Sequence, residues 1–316
     1  MSYEVEQTLA EISIERREMV ARFLQTRQRT EQLCEPLETE DFVVQSMADV
    51  SPPKWHLGHT TWFFERLILQ QFETGFKQYH PQYYFLFNSY YQSLGDRVER
   101  GSRGVLSRPT VAELMTYRGN ITARVKELLN AIDEETCNRL AGLLVLGINH
   151  EQQHQELLLT DVKHILAINP LGPKYCDATS LSEPGQPVSG DFLTIAGGEH
   201  RIGAESGRFA YDNEHPRHRV LLDDFQLCRR PVTNGEYLEF VEAGGYADHR
   251  LWLSEGWELV QQGLRSAPLY WEKSDSGWSE STLAGRQPLQ LEQPVCHVDY
   301  FEAAAFARWA GKRLPT

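Results

Sequence analysis

Positive charge is scarce: 31 Lys and Arg stand against 44 Asp and Glu, a formal net charge of -13 at pH 7. A phosphate backbone binds to a basic face, so this balance argues against a nucleic-acid partner. Cysteine is also sparse. Cys34, Cys137, Cys176, Cys228 and Cys296 are scattered and form no C-x-x-C pair, which excludes a zinc knuckle and a disulfide framework and predicts reduced thiols in a cytoplasmic protein. No run approaches membrane-spanning length. The stretch from Met1 to Gln32 is rich in Glu and Arg without an apolar centre, so neither a membrane span nor a signal peptide is expected. The 316 residues suffice for two domains with separate cores.

What is present is periodicity. Leu140, Leu143, Leu144, Gly147, His150, His154, Leu157 and Leu158 recur every three or four residues and predict a helix from about 134 to 168, with both histidines on its apolar stripe. Further helices are predicted at about 4–33, 52–76 and 108–131, the second opening at Ser51-Pro52-Pro53 and the third at Ser107 with Pro109. Four such helices suggest a bundle. Between the second and third lies an aromatic segment, Tyr79 to Tyr91, then Gly95 to Gly104 with Arg97, Arg100 and Arg103. That connection is too long for a bundle turn. A Gly/Pro/Ser-rich stretch at 171–190 reads as a linker. Beyond it, short apolar runs such as Phe192–Ile195 and Arg219–Leu222 alternate with Gly-rich turns and predict α+β structure, with a short helix from Phe301 to Trp309.

Within the long helix, His150-Glu151-Gln152-Gln153-His154 sets two imidazoles four residues apart, where both can bind one metal ion. The pattern also fits H-E-x-x-H, in which the glutamate is the general base of a zinc protease. The extended metzincin signature fails, because Leu157 and Thr160 stand where it needs Gly and His. A further carboxylate ligand would have to be nominated by proximity alone, as Asp177 or Glu183. Two helical histidines need a third ligand from another helix, and the second helix offers His56 and His59. His59 shares a face with Trp55, Phe63 and Leu67 and is expected inside, whereas His56 in the first turn is expected nearer solvent, as an exposed ring or one standing behind the ligands. Three neutral imidazoles suit zinc or iron(II), and ligand type does not choose between them.

Several motifs occur together in order. They are Leu57-Gly58-His59, Asn88-Ser89-Tyr90-Tyr91-Gln92, the segment from Arg100 to Thr110, and His150-Glu151-Gln152-Gln153-His154. The second half adds Gly197 to Gly203, Glu214-His215-Pro216-Arg217-His218, Pro231-Val232-Thr233-Asn234 and Gly311 to Thr316. The set resembles the ergothioneine-biosynthetic sulfoxide synthases, over nearly the whole chain. The resemblance implies a multidomain α and α+β protein. A DinB-like four-helix bundle with the metal site (residues 1–172) would be followed by a linker (173–190) and a formylglycine-generating-enzyme-like, C-type-lectin-like domain (191–316), truncated because such domains continue past the segment ending at Thr316.

The activity the resemblance implies is an iron(II)- and O2-dependent joining of a thiol sulfur to the imidazole C2 of hercynine, giving a sulfoxide. The paired tyrosines suggest free cysteine as sulfur donor. By position, His59, His150 and His154 would bind iron, Gln153 would hydrogen-bond the substrate imidazole, and Tyr90 or Tyr91 would donate a proton. Arg100 and Arg103 would grip substrate carboxylates, with Arg97 and Arg108 as competitors. A histidine-using enzyme of ovothiol type and a zinc-dependent hydrolase or thiol transferase are the alternatives. Oligomeric state is not legible.

Overall fold

In the computed structural model, residues 15–89, 96–177, 189–205 and 207–316 are described. The chain divides into two compact units, Met1–Asn169 with Ile202–His218, and Pro170–Arg201 with Arg219–Thr316. The first unit thus takes in a segment, Ile202–His218, that a simple sequential division at the linker would assign to the second.

The helices of the first unit are α1 (Arg16–Cys34), α2 (Pro53–Phe64), a short α3 (Tyr83–Phe87), α4 (Val111–Ala131) and α5 (Glu134–Ala167). α2 begins with Pro53 at its first position, where a missing N–H costs nothing, and continues through a π-helical turn, Glu65–Leu69, to Phe72. α4 starts at Val111 rather than near Ser107, because Thr110 and Glu113 form a reciprocal capping box there. Asp133 caps α5 by accepting from the Thr136 N–H. α5 packs on α1 and α2, and α4 packs on α2. Phe23, Leu57, Phe63, Phe64, Ile68, Leu114, Ile121, Leu140 and Leu144 fill the space between, each worth about 1.5–3 kcal/mol when removed from water.

Every residue of Pro53–Phe64 is buried, so α2 is the central rod. Two glycines set how closely its neighbours approach. A Cβ on Gly147 of α5 would lie 2.7 Å from Phe64 Cε1 and 2.9 Å from Phe63 Cε1, and one on Gly58 of α2 would lie 2.2 Å from Phe87 Cε1. Side chains at these positions would push α5 and α3 away from α2.

Beyond residue 190, β1 (Phe192–Ile195) pairs antiparallel with β4 (Phe225–Cys228), Phe192 opposite Cys228, and β2 (Gly198–Ile202) pairs with β3 (His218–Leu222). A three-stranded antiparallel sheet follows as β5 (Trp271–Ser274), β6 (Gly277–Thr282) and β7 (Gly285–Pro288), with Trp271 opposite Glu280 and Ser279 opposite Pro288. The helices are α6 (Asn234–Glu242), α7 (Ser254–Gln261) and α8 (Tyr300–Trp309), the first and last opened by capping boxes at Thr233/Glu236 and Asp299/Glu302. The core gathers Tyr237, Phe240, Trp252 and Ala305.

Candidate metal centre

His59 projects from α2 toward His150 and His154 of α5. One ring nitrogen from each lies within 4.8 Å of the others, and His59 Nε2 is 3.2 Å from His150 Nε2. The i, i+4 spacing on α5 and the close approach allowed by Gly147 produce this convergence.

The ring of His59 is fixed from three sides. Trp55 stacks on it at 4.6 Å between centroids and Trp62 follows at 5.4 Å, because positions 55, 59 and 62 share one stripe of α2. His59 Nδ1–H donates to the carbonyl of Phe87 at 2.6 Å. A carbonyl only accepts, so this bond places the proton on Nδ1 and leaves the Nε2 lone pair facing His150. Phe63 stacks on His150 at 4.7 Å, one helical turn from His59.

Burial keeps these rings neutral. It pushes His150 down to about 4 and, with neighbouring imidazoles adding to the effect, lowers His59 and His154 well below the ordinary histidine value. His150 Nδ1 is buried and has no hydrogen-bond partner among the described residues. If His150 carries its proton on Nε2, it satisfies His59 but leaves Nδ1 a buried lone pair. If the proton is on Nδ1, two lone pairs face each other at 3.2 Å. A cation at the meeting point relieves the second arrangement, so the donor set fits a borderline metal ion of the iron or zinc type.

Glu151 turns the other way. Its Oε2 accepts from Arg27 at 2.9 Å, and its Oε1 accepts from Arg118 and from the Thr30 hydroxyl, each at 2.6 Å, with no solvent exposure. Burial alone would raise its pKa, but Arg118 and Arg27 overcome that and hold the carboxylate well below its usual range. The residue one step from His150 lies about 100° around the helix, so it serves the α1/α4 side and not the imidazole face. A glutamate so committed is no general base, and the protease reading of H-E-x-x-H fails here. Asp177, nominated as an added ligand for that reading, is exposed and paired with Lys174, while Glu183 lies outside the described residues.

His56 corrects an expectation. It is 2% exposed rather than solvent-facing, since α2 is surrounded on every side and its first turn has no wet face. Its Nδ1 lies 2.9 Å from His154 Nδ1 and its Nε2 2.9 Å from Asp161 Oδ2. Gln153 is exposed on α5 beside His154. Arg103 is buried, bonds the hydroxyls of Ser51 and Ser89, and holds its guanidinium 3.3 Å from the centre of the Trp55 ring. Arg100 is exposed and donates to the Asp49 carbonyl. Arg97 bonds the Ser89 carbonyl, and Arg108 is exposed and bonds the carbonyl of Ser107. Tyr90 and Tyr91 lie outside the described residues.

Sequence reasoning missed the Arg27–Glu151–Arg118 triad, the Phe87 carbonyl and the His56–Asp161 pair. Arg27 did carry a signal, since it sits among Phe23, Thr26 and Thr30 on the inward stripe of α1, where an unpartnered charge is costly.

No helix among the described residues is long and apolar enough to cross a membrane. Residues 22–158 match the DinB superfamily and residues 179–316 the sulfatase-modifying factor enzyme 1-like domain. The chain is 32% identical over 221 residues to a hercynine oxygenase of Mycolicibacterium smegmatis, covering 69% of this chain and 49% of that protein. It is 30% identical over 271 residues to the hercynine oxygenase of Mycobacterium tuberculosis, covering 84% of this chain and 60% of that protein. The formylglycine-generating enzyme of Bos taurus is 28% identical over 149 residues, 42% of this chain and 38% of that enzyme. The chain thus spans roughly half to three fifths of the length of the hercynine oxygenases it matches. It joins a DinB domain to a sulfatase-modifying-factor-like domain, as the resemblance leads one to expect, and it is similar to hercynine oxygenases.

Proposed function

We propose that this chain is an iron(II)- and O2-dependent sulfoxide synthase that joins the sulfur of cysteine to the imidazole C2 of hercynine. The observation that carries the reading is the convergence of three neutral imidazoles from two helices, with the adjacent glutamate locked away, in a relative of hercynine oxygenases. His59, His150 and His154 would hold the iron. Bound iron supplies redox chemistry with dioxygen and a common point at which thiol and imidazole meet, which makes their coupling effectively intramolecular.

The chain's own residues divide the remaining tasks. Trp55 and Trp62 exclude water from the His59 side, and His59 keeps its Nε2 directed by donating to Phe87. Gln153, exposed beside His154, offers an amide to the substrate imidazole. Arg100 and Arg103 are the partners for substrate carboxylates, Arg100 from the surface and Arg103 from beneath Trp55. Tyr90 or Tyr91 donates the proton that steers the reaction away from simple thiol oxidation to sulfinate. Residues 1–172 form the metal-bearing bundle, 173–190 a linker and 191–316 the formylglycine-generating-enzyme-like domain. A cytoplasmic location belongs to the same reading, since all five cysteines are free and Cys34 and Cys137 are buried.

The test is anaerobic reconstitution with iron(II), then addition of oxygen, cysteine and either hercynine or histidine, with products read by mass spectrometry. A sulfoxide from hercynine supports the proposal. Sulfoxide from histidine alone would transfer the chain to the ovothiol type, and hydrolysis or thiol transfer without oxygen would remove both.

A further inference from the structure

Asp161 sits at the far end of a line of three side chains that runs through the buried His56 to His154, a partly buried candidate metal ligand. Its Oδ2 accepts the backbone N–H of Ser51 at 2.9 Å and lies 2.9 Å from His56 Nε2. His56 Nδ1 in turn lies 2.9 Å from His154 Nδ1. His56 and Asp161 are both buried, and neither figures among the three converging imidazoles.

We propose that Asp161 and His56 form a positioning relay that sets the tautomer of His154 and thereby selects the nitrogen with which it binds metal. The Ser51 N–H marks Oδ2 as an acceptor, so the His56 proton belongs on Nε2, pointing at Asp161. A His56 with its single proton there presents a lone pair at Nδ1. Only one proton fits between two Nδ1 atoms at 2.9 Å, so His154 must supply it. His154 then carries its proton on Nδ1 and turns its Nε2 lone pair to the metal. The same polarity is imposed on His59 by the Phe87 carbonyl, so two of the three ligands are ordered by separate outer partners.

The relay rests on the three-imidazole metal reading above, and one experiment separates the two. The full chain is labelled with 15N-histidine and loaded with zinc(II), a diamagnetic probe, and long-range 15N–1H correlation identifies the protonated nitrogen of His154. The relay predicts a proton on Nδ1 and metal on Nε2, both displaced in His56→Phe, whose zinc affinity falls about 10- to 100-fold, the usual cost of removing an outer partner. A role confined to packing would lower the melting temperature of His56→Phe without changing the tautomer balance or the affinity. If the unaltered chain binds zinc with His154 ligating through Nδ1, or with its proton on Nε2 because His56 carries both protons, the relay is overturned while the metal reading stands. If the unaltered chain binds no metal, the metal reading falls and the relay with it.

Discussion

Gly147 of α5 lies so close to Phe64 of α2 that a single added Cβ would come within 2.7 Å of the ring edge. This contact sits three residues before His150 and one turn from His59, so it sets the spacing across which the imidazoles meet. Gly147→Ala is expected to destabilise the fold by about 1–3 kcal/mol, the usual range for overpacking a core, and to weaken cobalt(II) binding as the helices separate. Urea denaturation and metal titration of the same variant check the two effects, and an unchanged cobalt(II) affinity would detach the metal site from this helix contact.

Glu151 gives a sharper separation between readings of its motif. Glu151→Ala leaves Arg27 buried without its counter-charge and Arg118 with only the partly exposed Glu31, and we expect a loss of about 3–5 kcal/mol in unfolding free energy. A catalytic glutamate in a hydrolase would instead be replaceable with little effect on stability. Equilibrium denaturation decides, and a near-neutral result would mean that the triad is not what fixes the rotation of α5.

Glu65, in the π-helical turn, accepts from the Tyr117 hydroxyl and the Tyr79 N–H, each at 2.6 Å. Burial raises its pKa above the ordinary glutamate value, an effect that these hydrogen bonds only partly offset. The folded state therefore holds a proton that the unfolded chain has released. The associated stability is fully present below the unfolded pKa and is lost as pH rises through the folded value. Relative to Glu65→Gln, the unaltered chain should lose stability as pH rises above the ordinary glutamate value and through the raised folded one. Denaturation curves across that range test the sign, and a relative gain would reverse it.

The proton-donor role assigned to the paired tyrosines has a product signature. Tyr90→Phe with Tyr91→Phe is expected to divert turnover from sulfoxide toward cysteine sulfinate, read by mass spectrometry. An unchanged product ratio would reject that role.

Much of this architecture is legible locally. The i, i+4 histidines on an apolar stripe predict α5, and the Trp55/His59/Phe63 stripe picks out the α2 histidine that converges with them. What is not legible depends on neighbours distant in sequence. The partners of Glu151 come from α1 and α4, and the acceptor for His59 is a backbone carbonyl that no side-chain pattern announces. His56 was misplaced because facing arguments assume a helix with one wet side, whereas α2 is enclosed by the elements around it. The start of α4 was misread for a smaller reason. Ser107 and Pro109 suggest an earlier opening, whereas the capping pair Thr110/Glu113 is what opens the helix.

The account depends above all on one ion held jointly by His59, His150 and His154. Calorimetric titration of the metal-free chain with iron(II) under anaerobic conditions tests this directly, beside the single variants His59→Ala, His150→Ala and His154→Ala. The account predicts one ion per chain and severe loss of binding in each variant that remains folded. Undiminished one-to-one binding in all three would contradict it.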